Sequence, residues 1–322
     1  TRTFTVDNSN PLINFVSPTP LSGNYGANQT INVTASDAHL GTIRILVDGL
    51  VAASSGTSPL SFSLTEGNHS VQAFVNDTLG HTNQTEARDV LVDTAKPQIQ
   101  FVSPTPANDT AIAGMQTVNV TASDTNLKNI TIFIDGIAEK TCASGPCAFS
   151  WNTSEFFDAP DYELNATASD IAGNKNSTEL RLIAIDNTAP AISLFSPANN
   201  TLSNSPVQNF TFNATDFFNT VSCDLYISNN GNPYALSGSN STSQTFKNTT
   251  ITNTSVSEGT NYWFVRCSDA LGNTGDSQVR ALLTDYTLPQ VTSFTLENTF
   301  NGIFSPENAD GNFDSAKIII AT

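Results

Sequence analysis

The chain has 322 residues, with 12 Lys and Arg against 29 Asp and Glu, for a formal net charge of −17. A surface this acidic does not hold nucleic acid or an anionic lipid face through its own charge. Only 13% of residues are charged, so the polar surface is made of Asn, Ser and Thr, which suits a sugar-bearing exterior better than one solvated by charge.

Read in chain order, the elements come as one repeated sentence. Asp7 to Pro11 opens the first copy, and Asp93 to Pro97, Asp186 to Pro190 and Asp285 to Pro289 open three more, each followed by a short apolar run. Pro11, Pro97, Pro190 and Pro289 stand 86, 93 and 99 residues apart. That period is too long for a solenoid or propeller blade and right for a small β-sandwich. The expected organisation is the last strand of a preceding domain at 1–6, three whole domains at 7–92, 93–185 and 186–284, and the start of a further, incomplete domain at 285–322. Both ends read as cuts through a longer protein, so the lack of a signal peptide or membrane segment carries no message about the parent.

Within each copy the strand-like runs are short, alternate in polarity and are broken by Gly, Asn, Pro and Asp. In the first, Ile31, Val33 and Ala35 alternate with polar residues, then come Ile43, Ile45 and Val47, the turn Asp48-Gly49, the run Pro59 to Leu64, and Val71, Ala73 and Val75. The second repeats the scheme with Val118, Val120 and Ala122, then Ile130, Ile132 and Ile134, Asp135-Gly136, and Pro146 to Trp151. The third diverges more, with Phe210, Phe212 and Ala214, then Val221, Cys223, Leu225 and Ile227. About seven such strands, each apolar on one face, bury that face by pairing two sheets. The predicted fold class is all-β, a tandem of immunoglobulin-like sandwiches.

The sharpest shared signature is the turn near the end of each copy: Asp77-Thr-Leu-Gly80-His81, Asp170-Ile-Ala-Gly173-Asn174 and Asp269-Ala-Leu-Gly272-Asn273. With the Asp-x-x-x-Pro junctions, it resembles the Ig-like domains of bacterial and archaeal surface proteins, over residues 7–284. The first copy departs from that pattern at His81, where Asn is usual. Ser222 to Ile227 with Tyr262 to Asp269 is most similar to archaeal surface versions. Phe304 to Asp314 resembles the opening of flagellar-hook-cap-type Ig-like domains. The resemblance implies an extracellular, non-catalytic module.

The four cysteines fall as two pairs. Cys142 and Cys147 bracket a tight turn, and Cys223 and Cys267 lie on the inward face of strands expected side by side. Two disulfides in an oxidising compartment are the favoured reading over buried free thiols, and no four ligands gather for zinc. Junction and turn carboxylates, with Asp7 as the first of the series, make Asp77, Asp93, Asp170, Asp186, Asp269 and Asp285 candidate calcium ligands, and Asp310 and Asp314 a second set. The competing reading is that these Asp residues cap turns.

Asn-x-Ser/Thr occurs at Asn28, Asn32, Asn68, Asn76, Asn83, Asn108, Asn119, Asn129, Asn152, Asn165, Asn176, Asn199, Asn209, Asn213, Asn240, Asn248 and Asn253. Composition alone gives roughly 8 or 9 such acceptors, so about half are in excess of chance. N-linked glycans are expected, with Asn32 and Asn119 outward and accessible.

Enzyme readings find little support. His39, His69 and His81 all lie in one copy without a nucleophile signature, and no phosphate loop is present. Glu66 with Glu86, or Glu155 with Glu163, has nothing to bring it into a pocket. The reading is a glycosylated rod or filament on a prokaryotic, archaeal-type cell surface, whose partners are other copies of itself or other surface proteins. The alternatives are an adhesin stalk and spacers of a secreted hydrolase. Strand-like ends at Arg2–Val6 and Lys317–Ala321 raise the further expectation that copies exchange strands.

Overall fold

In the computed structural model, residues 6–217, 220–244, 246–289, 294–297 and 317–320 are described. The chain divides into two compact units, residues 1–187 with two sandwiches and residues 188–322 with a third.

The first sandwich is built from β1 (Leu12–Val16), β2 (Gly23–Tyr25), β3 (Gln29–Ser36), β4 (Leu40–Val47), β5 (Leu50–Ser55), β6 (Leu60–Leu64), β7 (Gly67–Asp77), β8 (Thr82–Gln84) and β9 (Arg88–Val92). One sheet has the order β1-β3-β6, and the other has β2-β9-β7-β4-β5 with β8 added to β7. Every pairing is antiparallel except β2 with β9. The strand count is nine where alternation suggested about seven, because β2 and β8 are three residues each, too short to show a period. Inward residues of both sheets, among them Ile31, Val33, Ile43, Ile45, Val71, Ala73 and Val90, are fully or almost fully buried and form one core. Truncating a buried Ile or Leu of this kind costs about 2–5 kcal/mol, because the cavity only partly collapses.

The second sandwich repeats the plan. Gln98–Val102, Met115–Ser123 and Cys147–Asn152 form the small sheet, and Ala159–Asp170 and Leu127–Ile134 form the centre of the large one. The third has Ala191–Ser196, Gln208–Thr215 and Asn248–Asn253 against a sheet centred on Gly259–Ser268 and Thr220–Asn229. One 3-10 turn, Thr153–Glu155, is the only helical element among the described residues. Leu64 and its repeat partner Trp151 are both buried. Trp151 packs edge-on against Phe156 and Tyr162, and Trp263 against Phe210. Phe156 thus packs against the core half-buried, whereas its neighbour Phe157 is 90% exposed.

Both cysteine pairs are disulfides. Cys223 and Cys267 face each other across neighbouring strands of the third core. Cys142 and Cys147 join an edge strand of the large sheet to one of the small sheet in the second sandwich. Arg88, Arg181 and Arg280 recur at one position. Their Nη1 atoms donate to the carbonyls of Pro20, Pro106 and Pro197 at 2.8, 2.6 and 2.8 Å, and the first two lie over Phe15 and Phe101 at 4.5 Å. Glu86 pairs with Arg88.

Asp48-Gly49 and Asp135-Gly136 turn with positive φ at both residues, the I′ geometry that matches strand twist. Asp48 also accepts from the Ser70 N–H and sits 2.9 Å from His69 Nδ1. The hydrogen bond from His69, then that from Ser70, holds the Asp48 carboxyl below its ordinary value. Burial lowers the His69 imidazole, but the Asp48 bond and charge outweigh it, and the net shift is upward. A raised His stabilises below its unfolded value of about 6.5 and loses that contribution as pH rises through the folded value; a lowered Asp stabilises above about 3.9 and loses it as pH falls. The pair is therefore expected to contribute most between about pH 4 and 6.5. His69→Gln should flatten the pH dependence of the first sandwich's melting temperature in that window, and an unchanged profile would show that the pair is inert.

Residues 1–5, including most of the expected strand Arg2–Val6, lie outside the described residues. Lys317–Ile320 is not a lone strand, because it pairs antiparallel with Phe294–Glu297. That pairing corrects the expectation of a lone strand, and in a two-stranded sheet it engages one side of Lys317–Ile320 only.

Candidate functional site

The junction between the first two sandwiches leaves the connecting segment no slack. β9 ends at Val92, and the next strand begins at Gln98. Asp93, 3% exposed, donates its N–H to the Tyr25 carbonyl of the first sandwich at 3.0 Å. Its own carbonyl accepts from Asn174 Nδ2 of the second at 2.7 Å. Glu66 holds both the N–H and the hydroxyl of Thr94, and those two bonds keep its carboxyl low. Buried Pro97 offers its carbonyl to Asn176 Nδ2. Glu258 clamps the N–H of Tyr286 and the hydroxyl of Thr287 in the same way in the second unit. Glu66 is thus a linker clamp, a role the sequence reading did not give it. Glu155 accepts from Asn152 in the turn Thr153–Glu155, and Glu163 is exposed.

Of the candidate calcium ligands, Asp93 and Asp170 do come together. They are joined by Asp124, and one carboxylate oxygen of each lies within 4.8 Å of the others. Asp93 Oδ2 accepts from Asn126 Nδ2, Asp170 Oδ2 from Asn174 Nδ2, and Asp124 Oδ1 from the Asn126 N–H. Oxygen donors at such separations suit Ca2+, and the same carboxylates also cap their turns: Asp93 takes the Ala95 N–H and Asp170 the Asn174 N–H. Asp124 went unread, although Val33-Thr-Ala-Ser-Asp37 and Val120-Thr-Ala-Ser-Asp124 are the same five residues. That identity was the signal.

In the first sandwich the corresponding residues are Asp7, Asp37 and Asp77, with His39 and His81 where the second has Asn126 and Asn174. His39 Nδ1 is 3.0 Å from Asp7 Oδ2, and His81 Nδ1 is 2.6 Å from Asp77 Oδ2. Histidine therefore does in the first sandwich what the amide does in the second. Asp77 Oδ1 also takes the N–H groups of Leu79, Gly80 and His81. Burial pushes the Asp77 carboxyl up, yet these donors hold it below its ordinary value, while the Asp77 carboxylate raises the His81 imidazole.

The remaining candidate ligands also make structural bonds. Asp269 caps its turn through the N–H groups of Leu271 and Asn273. Asp186 is buried at the end of the first unit, with its N–H on the Ile112 carbonyl. Asp285 is exposed and donates its N–H to Ser203. Asp310 and Asp314 lie outside the described residues.

The acceptor asparagines sort by what their Nδ2 is doing. Asn83 and Asn176 donate to the carbonyls of Pro11 and Pro97 at 2.9 Å, and the following Thr85 and Thr178 hydroxyls accept from Ala73 and Ala166. In these two places Asn-x-Thr is a fold motif. Gly275 replaces the Asn in the third sandwich, and a Cβ there would lie 2.2 Å from the Pro190 carbonyl oxygen. Asn32 and Asn119, expected to be accessible, are half-buried with Nδ2 toward the Ser17 and Ser103 carbonyls. Asn76, Asn108, Asn152 and Asn253 also donate within the chain. Asn129 and Asn209 accept hydroxyls from Ser169 and Thr252. Asn165, Asn213 and Asn240 are half-buried, whereas Asn28, Asn68, Asn199, Asn209 and Asn248 are exposed.

Residues 97–166 match the family model described as Bacterial Ig domain. No curated protein matches. Among solved structures, the chain is similar to the fibronectin(III)-like modules of CbhA from Clostridium thermocellum at 16% identity, covering 54% of this chain and 93% of that one, with a TM-score of 0.32. It is also similar to the N-terminal eight Ig domains of Down Syndrome Cell Adhesion Molecule at 10% identity, covering 85% and 36%, with a TM-score of 0.35. SGBP-B of the Bacteroides ovatus mixed-linkage glucan utilization locus, solved in complex with a mixed-linkage heptasaccharide, matches at 16% identity, covering 95% of this chain and 76% of that one, with a TM-score of 0.23. Domains of this Ig-like kind are generally non-catalytic modules.

Proposed function

We propose that the chain is an extracellular spacer or rod on a prokaryotic cell surface, in which the first two Ig-like sandwiches are held at a fixed mutual angle. The observation that supports this reading most is the junction at Asp93. There a linker of a few residues is tied by backbone, carboxylate and amide bonds to both neighbouring sandwiches. A slack linker leaves domains free to rotate, and one tied to both neighbours restricts that rotation. Two disulfides agree with an oxidising compartment. Its partners are other copies or other surface proteins, and calcium at Asp93, Asp124 and Asp170 would stiffen the same junction.

The test is a distance measurement by pulsed electron resonance. Spin labels go at exposed Val51 and Ile137, one on each of the first two sandwiches. A single narrow distance distribution is expected. A distribution spread over tens of ångströms would remove the rod reading, leaving flexible beads.

Glycosylation belongs to the same proposal and makes a separate prediction. Occupied sites in protein from its native source should come from Asn28, Asn68, Asn199, Asn209 and Asn248, with Asn83 and Asn176 bare. Glycopeptide mapping that finds sugar on Asn83 or Asn176 would overturn this sorting. An intact mass equal to the bare 34.2 kDa chain would remove glycosylation altogether.

A further inference from the structure

The two histidines at the mouth of the first sandwich have no structural need to be histidines. At the equivalent positions of the second sandwich, Asn126 and Asn174 meet Asp93 and Asp170 at 2.7 Å through one amide N–H each. The fold asks only for a donor there. An imidazole adds what an amide lacks, a nitrogen lone pair that binds borderline divalent metals.

The surroundings fit such an ion. One donor atom each from Asp7, Asp37 and His39 lies within 4.8 Å of the others. Two ligands 2.0–2.2 Å from a shared Zn2+ are at most about 4.4 Å apart, so small side-chain rotations close the site. The 3.0 Å from His39 Nδ1 to Asp7 Oδ2 is already the spacing of adjacent ligands. Asp7 Oδ1 is occupied by the N–H and hydroxyl of Ser9, and Asp37 Oδ1 by the His39 N–H. Those bonds fix one oxygen of each carboxylate, and the second oxygen of Asp7 faces His39 Nδ1. The side chain of Asp7 is 9% exposed and that of His39 is 37% exposed, so solvent can complete the coordination. His81 stands close enough to feel the charges of Asp7 and Asp37.

We propose that Asp7, Asp37 and His39 form a binding site for a borderline divalent cation of the zinc, nickel and copper class, distinct in preference from the all-oxygen set at Asp93, Asp124 and Asp170. Coordination through Nδ1 takes the place of the hydrogen bond to Asp7, and the neutral imidazole keeps its proton on Nε2. The first sandwich would then carry a borderline-metal site and the second a hard-metal one, from the same backbone frame.

The test uses the whole chain titrated with ZnCl2, NiCl2 and CaCl2, read by calorimetry and by imidazole nitrogen resonances. Zn2+ should bind one site, shift the His39 signals more than those of His69, and resist a hundredfold excess of Ca2+. His39→Asn installs the residue of the second sandwich and should keep the melting temperature while weakening Zn2+ at least tenfold. Asp37→Asn should weaken it similarly. The proposal fails if Zn2+ leaves the His39 signals unmoved. It fails equally if His39→Asn binds as well as the parent, which would place the ion away from His39, at the His69–Asp48 or the His81–Asp77 pair, or if Ca2+ displaces Zn2+ at equal concentration.

Discussion

Replacing Cys223 and Cys267 together by Ala is expected to unfold the third sandwich at a temperature lower by on the order of 20 °C and to leave the first two untouched. The bridge closes a loop 44 residues apart in sequence, and the chain-entropy account assigns such a loop about 4 kcal/mol. A domain of this size has only about 5–15 kcal/mol of net stability, and each kcal/mol moves its transition by about 4–8 °C. The loss stays local because the third core, built around Phe210, Phe212, Trp263 and the two sulfurs, shares no residue with the other two. Calorimetry of the whole chain should show one transition moving alone. If all transitions fall together, the cores are coupled, and if none moves, the bridge adds nothing to stability. The Cys142–Cys147 bridge, five residues apart, should cost about half as much when removed.

What could be read from the sequence followed from what leaves a period. Alternation at Ile31–Ala35 and Val71–Val75 marks buried faces, and those residues are the core. The inward placement of Cys223 and Cys267 followed from the same alternation. Three-residue strands such as Thr82–Gln84 leave no period. Nor does a turn reveal which partner its carboxylate will meet, so Asp93 and Asp170 were candidates while Asp37 and Asp124 were missed. The acceptor asparagines show a different limit. Asn83 and Asn176 look like glycan sites in one dimension, and only the three-dimensional approach of the Pro11 and Pro97 carbonyls shows their amides already in use. Glu66 and Glu258 are similar cases, because a clamp on the next linker has no local signature.

Gly26 offers the most selective way to loosen the first junction. Its backbone takes no positive φ, so its own sandwich places no conformational demand for glycine there. A Cβ at this position would instead stand 2.8 Å from Asn174 Oδ1 and 3.2 Å from the Ala172 carbonyl oxygen, both on the second sandwich. Asn174 can rotate away only by giving up its bonds to the Asp93 carbonyl and the Asp170 carboxylate, and the Ala172 backbone cannot rotate away at all. Gly26→Leu should therefore push the sandwiches apart at this corner. The lost bonds are worth about 1 kcal/mol each, more where the carboxylate is involved, and neither core is touched. The spin-label distance between Val51 and Ile137 should broaden severalfold, while each sandwich melts within a few degrees of the parent. Gly56→Leu, in the first sandwich with nothing nearer than the Gly41 carbonyl oxygen at 3.6 Å, should leave the distribution narrow. If Gly26→Leu also leaves it narrow, the Asn174 contact is incidental, and the angle between the sandwiches is set by the Asp93 and Pro97 ties alone.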